Sequence, residues 1–289
     1  MTYCLGIVTK HGLIMASDSR TNAGNDQVNV TRKMHTFVQD GRHVFVLLTS
    51  GSLSCSQSIL TLLRRDYNRG EGLFDAATMY DAARIVGKAV REIADIDRPA
   101  LERDSYTFNT NIILGGQVRG EPPALFMIYP QGNPLQASEE SPFLQIGETK
   151  YGRPILDRGI RFEKTTLEEA AKYALLSLDS TMKSNVTVGP PIDLLAYSPD
   201  EFNLRRHRRF SADDPQLQRM RTRWDQALRQ AVSRLPEVRF PSAAAQAAGA
   251  DAPQQSIELV DTLASSEAAE PQLQMTRDAG IGGPPDRSH

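Results

Sequence analysis

Two cysteines in 289 residues are too few for a disulfide framework, and a formal net charge of -2 leaves no basic surplus for coating a nucleic acid. No apolar run approaches the length of a bilayer span, so no membrane association is expected. Met1-Thr2-Tyr3-Cys4-Leu5-Gly6 lacks the basic-then-apolar build of a secretory leader and reads into a strand. The protein is therefore expected in the cytoplasm, where unpaired thiols persist. The five histidines are scattered, with no zinc-spaced Cys/His cluster, so neither a metal nor another cofactor is expected. Gly115-Gly116 and Gly282-Gly283 stand outside any phosphate-loop context, which argues against a nucleotide site.

What is present is enough for one enzyme-sized domain, read as residues 1–240. A domain of roughly 230 to 240 residues buries about 70 to 75% of the surface its unfolded chain exposes, sufficient for two packed sheets flanked by helices. Cys4 and Cys55 sit among apolar or small residues and read as buried free thiols. From 241 to 289 the chain turns to Ala, Gln, Pro, Ser and Gly with little apolar patterning. That tail is expected to stay disordered, apart from a short helical pattern near Ile257 to Leu263.

Extended patterns fill the first fifty residues. Thr2 to Val8 and Leu13 to Ala16 flank Lys10-His11-Gly12 as a hairpin, with Gly at the positive-φ position. A polar loop over Asn22 to Asp26 leads to Met34 to Val38 and His43 to Leu48, joined across Gln39-Asp40-Gly41-Arg42. Past Ser50-Gly51 the period becomes helical at Ile59, Leu60, Leu62 and Leu63, and again from Ala76 to Ile93. Strands return at Thr110 to Leu114, Ala124 to Tyr129 and Phe143 to Ile146, separated by Gly115-Gly116 and Pro122-Pro123 as breakers. Thr166 and Glu169 are spaced as a capping box for a helix with a Leu/Ala stripe. Ile192 to Tyr197 reads as a strand, and Asp213-Asp214-Pro215 opens a last helix to about Leu235. This order makes an α+β protein with helices on the outer faces of sheets.

Thr2 carries the chemical interest. Trimming of the initiator Met makes it terminal, and its hydroxyl and α-amine then belong to one residue. The amine, with an ordinary pKa of about 7.7 to 8.0, accepts the hydroxyl proton near neutral pH without a histidine. On its own a second-position Thr is ordinary. Asp18 and Lys33 on their own read as a turn cap and a solvated strand-end charge.

Together these residues make a pattern. Thr2, Ser17-Asp18-Ser19-Arg20-Thr21, Ala23-Gly24 and Arg32-Lys33-Met34 resemble the opening of proteasome beta subunits over about the first fifty-five residues, most nearly the bacterial Anbu (ancestral beta subunit) family. The resemblance implies a four-layer αββα sandwich, the N-terminal-nucleophile hydrolase fold, with two antiparallel sheets between helical layers. It further implies a threonine-type peptidase or amidase that forms ring-like or stacked homo-oligomers around a peptide or amide substrate. A partner ATPase or adaptor is compatible with it. In that frame Thr2 is the nucleophile, Lys33 favours its alkoxide-like form, and Asp18 holds Lys33 in place and charged. A backbone amide at Ser50 or Gly51, where a strand yields to a helix, would face the developing oxyanion.

The resemblance thins farther on. Glu148, Asn185 and Val188 stand where the family commonly has Ser, Asp and Ser, with Ser184 beside them as a further supporting candidate. An Asn hydrogen-bonds a nucleophile but carries no charge to tune its amine. A catalytically weak scaffold or peptide-binding assembly is therefore the alternative. Arg205-Arg206-His207-Arg208-Arg209 reads as a solvated or subunit-contacting charge run in so neutral a chain, not a nucleic-acid surface.

Overall fold

Gly12 decides how the chain begins. With φ at +126° it turns β1 (Tyr3–Thr9) back into β2 (Gly12–Ser17), at a point where a Cβ would collide with the Tyr197 carbonyl. Both strands are buried along their whole length, so they appear in the sequence as unbroken apolar runs. The computed structural model describes residues 2–23, 27–238 and 240.

Two antiparallel sheets follow from these pairings. β10 (Phe143–Gly147) lies beside β1, β11 (Ile192–Tyr197) beside β2, and β12 (Arg206–Phe210) at the edge, giving five strands in the order β10-β1-β2-β11-β12. The second sheet runs in sequence order through β5 (Met34–Gln39), β6 (His43–Gly51), β7 (Thr110–Val118), β8 (Ala124–Ile128) and β9 (Pro134–Gln136). A separate ribbon pairs β3 (Arg20–Ala23) with β4 (Gln27–Val30).

Apolar side chains on opposite faces of each strand place the layers. Cys4, Met15, Leu48, Ile113 and Leu125 pack between the two sheets. The outer face of the second sheet buries Phe45, Leu47 and Ile112 against α1 (Leu53–Asn68) and α2 (Met79–Arg103). The outer face of the first buries Leu5, Ile7 and Ile14 against α3 (Arg153–Gly159), α4 (Leu167–Ser184) and the start of α5 (Pro215–Ser233). The architecture is the αββα sandwich that the resemblance implies.

Local signals account for the helix starts. The Thr166 hydroxyl accepts from Glu169 N at 3.2 Å while the Glu169 carboxylate accepts from Thr166 N at 3.0 Å, a reciprocal cap worth about 1 kcal/mol. Asp214 Oδ1 accepts from Gln216 N at 2.9 Å and Leu217 N at 3.1 Å ahead of α5. Cys4 and Cys55 are buried and free.

Three readings need correction. Gly115-Gly116 is no breaker: β7 runs through both, because a Cβ on Gly116 would strike the Val44 carbonyl and one on Gly115 would strike Met15. Part of the polar loop after Asp18 is the β3–β4 ribbon, whose residues 24–26 lie outside the described set. α2 continues past Ile93 to Arg103 through nearly three largely exposed turns that carry no apolar stripe to betray them. The arginine run is solvent-exposed over residues 205–208, as a solvated charge run should be, and from Arg206 on it forms β12, where Arg209 reaches Asp193 at 2.5 Å, Arg208 reaches Asp214 at 2.8 Å and Arg206 bonds Ser198.

The chain divides after Arg234. Of the second unit, residues 235–238 and 240 are described and carry no helix or strand, and the expected tail over 241–289 lies outside the described residues. No helix of the described residues is long and apolar enough to cross a membrane.

Candidate active site

Asp18 follows directly on β2 and is fully buried, so its carboxylate must find all its partners within the chain. It finds four. Oδ1 accepts from Tyr3 N at 3.0 Å and from Lys33 Nζ at 2.7 Å, and Oδ2 accepts from Arg20 N and Gly189 N, each at 3.2 Å. Burial pushes the Asp18 carboxyl above its ordinary pKa, against the pull of the Lys33 ammonium and of the Tyr3 and Gly189 amides.

Lys33, just ahead of β5, donates a second hydrogen bond to the Arg20 carbonyl at 2.6 Å. An ammonium has three donors. Two are therefore engaged on the floor of a cleft of about 440 Å³, which Lys33 lines together with Thr2, Thr21, Thr31, Thr49 and Asn109. Thr2 reaches this cleft from the start of β1, where its carbonyl accepts from Glu148 N at 2.8 Å. Gly147 makes that approach possible, since its φ is +86° and a Cβ there would collide with the Thr2 carbonyl.

The cleft's other wall is the end of β6. Thr49 N donates to the Lys33 carbonyl at 3.0 Å on the β5 side, and Ser52 N donates to the Asn109 carbonyl at 2.7 Å on the β7 side. Backbone groups alternate sides along a strand, so the Ser50 amide faces β7 and the Gly51 amide faces the cleft, beyond the first residue of β5. Gly51 holds a φ of +102°, and a Cβ there would collide with the Asn109 carbonyl.

The family model for the proteasome subunit matches residues 2–195. The chain belongs to the proteasome subunit family. Among curated members of that family it is similar to the proteasome subunit beta of Archaeoglobus fulgidus, 25% identical over 205 residues that make up 70% of this chain and 87% of the relative. Solved structures of Anbu are nearer in sequence. Anbu from Hyphomicrobium sp. is 45% identical with a TM-score of 0.75, over 82% of this chain and 100% of that one. Anbu from Yersinia bercovieri is 40% identical with a TM-score of 0.77, over 82% and 99% respectively. The Pseudomonas aeruginosa protein, described as a helical assembly of the Anbu complex, is 42% identical with a TM-score of 0.78, over 84% and 99%.

The remaining family positions fall as follows. Glu148 follows β10 and is nearly buried, with Oε2 accepting from Asn185 Nδ2 at 2.9 Å and Oε1 lying 3.4 Å from Lys150 Nζ. Asn185 Oδ1 accepts in turn from Thr187 N at 3.0 Å. Ser184, the last residue of α4, is exposed and is absent from the cleft lining, and Val188 is packed into the core under α4. Two residues to which the sequence assigned no role complete the site. Gly189 supplies an amide to Asp18, and Arg20 supplies its amide to Asp18 and its carbonyl to Lys33. Arg20 lies within the matched motif, but main-chain donors leave no side-chain signature. Among the described residues no group of three or more His, Cys, Asp or Glu gathers to hold a metal ion.

Proposed function

We propose that this proteasome-family chain is a threonine-type peptidase or amidase whose nucleophile is Thr2 after removal of Met1. The observation that carries the reading is the buried Asp18–Lys33 pair, whose ammonium lines the same cleft as Thr2. In the first step the Thr2 hydroxyl oxygen attacks the scissile carbonyl carbon, and its proton passes to the α-amine. Lys33 lowers the energy of the developing alkoxide, and the Gly51 amide donates to the carbonyl oxygen as it gains charge. The C–N bond then breaks as the ammonium returns the proton to the leaving nitrogen, leaving an ester on Thr2. Water attacks that ester, gives a proton to the amine, and the carboxylic acid departs as the Thr2 oxygen is reprotonated.

Self-assembly belongs to the same reading. The Anbu relative described as a helical assembly supports a homo-oligomer here, and light scattering on the purified chain checks it.

A β-lactone or epoxyketone probe tests the chemistry. It is expected to add once to Thr2, giving the matching mass on the N-terminal peptide, and to add nothing to Thr2→Ala or Lys33→Ala. Intact mass checks that Met1 is gone. A mature, folded protein that resists every such probe would instead favour the scaffold reading.

A further inference from the structure

Among the described residues, every charge in the cleft lining is positive. Arg32 and Lys33 carry it, and no carboxylate lines the cleft. Lys33 is engaged by Asp18 at 2.7 Å, which leaves Arg32 as the charge the cleft offers to an occupant. His35, three residues on, adds none at neutral pH, because burial, then Arg64 and Arg32, lowers its pKa to about 4. Glu148 stands outside the lining and is met by Lys150 Nζ at 3.4 Å.

The main chain on either side of Arg32 is pinned. Thr31 N donates to the Ser19 carbonyl at 2.8 Å, and the Lys33 carbonyl accepts from Thr49 N at 3.0 Å. Between them the Arg32 side chain is exposed. Continuing the β5–β6 register sets residue 32 across from the last residues of β6, where the Gly51 amide faces the cleft. A carbonyl held at that amide for attack by Thr2 therefore brings the side chain of its own residue against this wall.

The wall suits a carboxylate. Its other side chains are hydroxyls and amides, including Thr31, Thr49, Ser56 and Asn109, and Leu53 is the one apolar side chain in the lining. A large apolar group would find little to pack on and would take water from those hydroxyls. A lysine would meet two cations and no anion. A carboxylate meets a guanidinium, whose fork of donors matches its two oxygens, with hydroxyl donors beside it.

We propose that, on the reading of Thr2 as nucleophile, the cleft selects substrates with an acidic side chain, Glu or Asp, on the residue whose carbonyl is attacked, and that Arg32 is the specificity-determining residue.

The test compares blocked tripeptides that differ only in that residue, as Glu, Gln, Lys or Leu. Each is made as an epoxyketone, read by the rate of mass addition to the N-terminal peptide of the mature full-length chain, and as an unreactive fluorescent amide, read by anisotropy. Glu is expected to outpace Lys about tenfold, the combined effect of an exposed attraction and a matching repulsion, with Gln between them. Arg32→Gln, at an exposed position where folding is not in question, should bring Glu and Lys to within about threefold, and Arg32→Glu should invert their order. Raising salt from about 0.05 M to about 0.5 M should shrink the preference of the parent. Equal rates for Glu and Lys in the parent, a preference for Leu, or a Glu preference that survives Arg32→Glu overturns the proposal. Amides that bind with the Glu preference and lose it in Arg32→Glu, while no epoxyketone adds to Thr2, overturn the nucleophile reading and leave the acidic selection standing. Neither labelling nor binding overturns both.

Discussion

Gly189 donates its amide to Oδ2 of Asp18 across 3.2 Å, so the loop after α4 helps to hold the carboxylate that holds Lys33. A Cβ at 189 would collide with the Arg20 guanidinium packed beneath it. Gly189→Ala is therefore expected to push Arg20 or the loop aside and misplace Lys33. Misplacement on the scale of 1 Å costs on the order of 10²-fold in rate. Probe-labelling kinetics on Thr2 read the loss, and circular dichroism should show an intact fold. Labelling within twofold of the parent would show that the Arg20 guanidinium yields to the added Cβ without moving Lys33.

The Asp18–Lys33 pair is buried at 0% and 5% exposure, so neither member has solvent to fall back on when the other is removed. Lys33→Met leaves an uncompensated carboxylate, and such losses cost about 3 to 5 kcal/mol. Adding Asp18→Asn removes the charge and should recover part of that cost. In urea unfolding the two changes are thus expected to be non-additive, with Asp18→Asn less harmful in the Lys33→Met background than in the parent. Additivity to within about 0.5 kcal/mol would show that the pair is not energetically coupled.

How much of this was legible depends on whether the signal was local. The Gly12 turn, the Thr166 capping box and the Asp214-Pro215 start each sit within a few residues of the structure they specify, and all three stand out in the sequence. Gly115-Gly116 misled because its reason is a neighbouring strand: the Val44 carbonyl leaves no space for a side chain. β12 was masked by its charges, one of whose partners, Asp193, is brought to it by the pairing of β11 with β12. In the site, Thr2, Asp18 and Lys33 form a recognisable motif near the start of the chain. The choice between the Ser50 and Gly51 amides depends on the pairing of β6 with β5 and β7, and the tie from Gly189 to Asp18 spans 171 positions. Neither relation exists until the sheets have formed.

His43 makes the fold sensitive to acid. It is fully buried, stacks on Phe45 with ring centroids 4.7 Å apart, and shares Nε2 with the Tyr67 hydroxyl at 3.0 Å. Burial, then the charge of Arg42, lowers its pKa from 6.5 to about 4. Between those values the unfolded chain binds the extra proton and the native one does not. Stability present above pH 6.5 is therefore lost as pH falls toward 4, at about 1.4 kcal/mol per unit. His43→Phe should flatten that decline in urea midpoints measured from pH 7 to 4.5. A slope remains from His35, lowered to about 4 by burial and by Arg64 and Arg32. Identical slopes in the parent and His43→Phe would exclude His43 as a source.

α5 is held by charge more than by apolar burial. Leu217 is its only fully buried residue, and from residue 226 to its end every position is exposed. Its hold on α4 comes from Arg221, bonded to the nearly buried Asp179, and from Lys183, which reaches Asp225 at 2.8 Å and Asp179 at 3.5 Å. Arg221→Met removes the stronger partner of a buried carboxylate, at a cost of roughly 3 kcal/mol. Because so little apolar surface joins α5 to the sandwich, that cost should appear as local opening and not as global unfolding. Hydrogen exchange is expected to show protection lost across Pro215–Ser233 while α4 and both sheets keep theirs. Equal loss in the sheets would mean that α5 is instead part of the cooperative core.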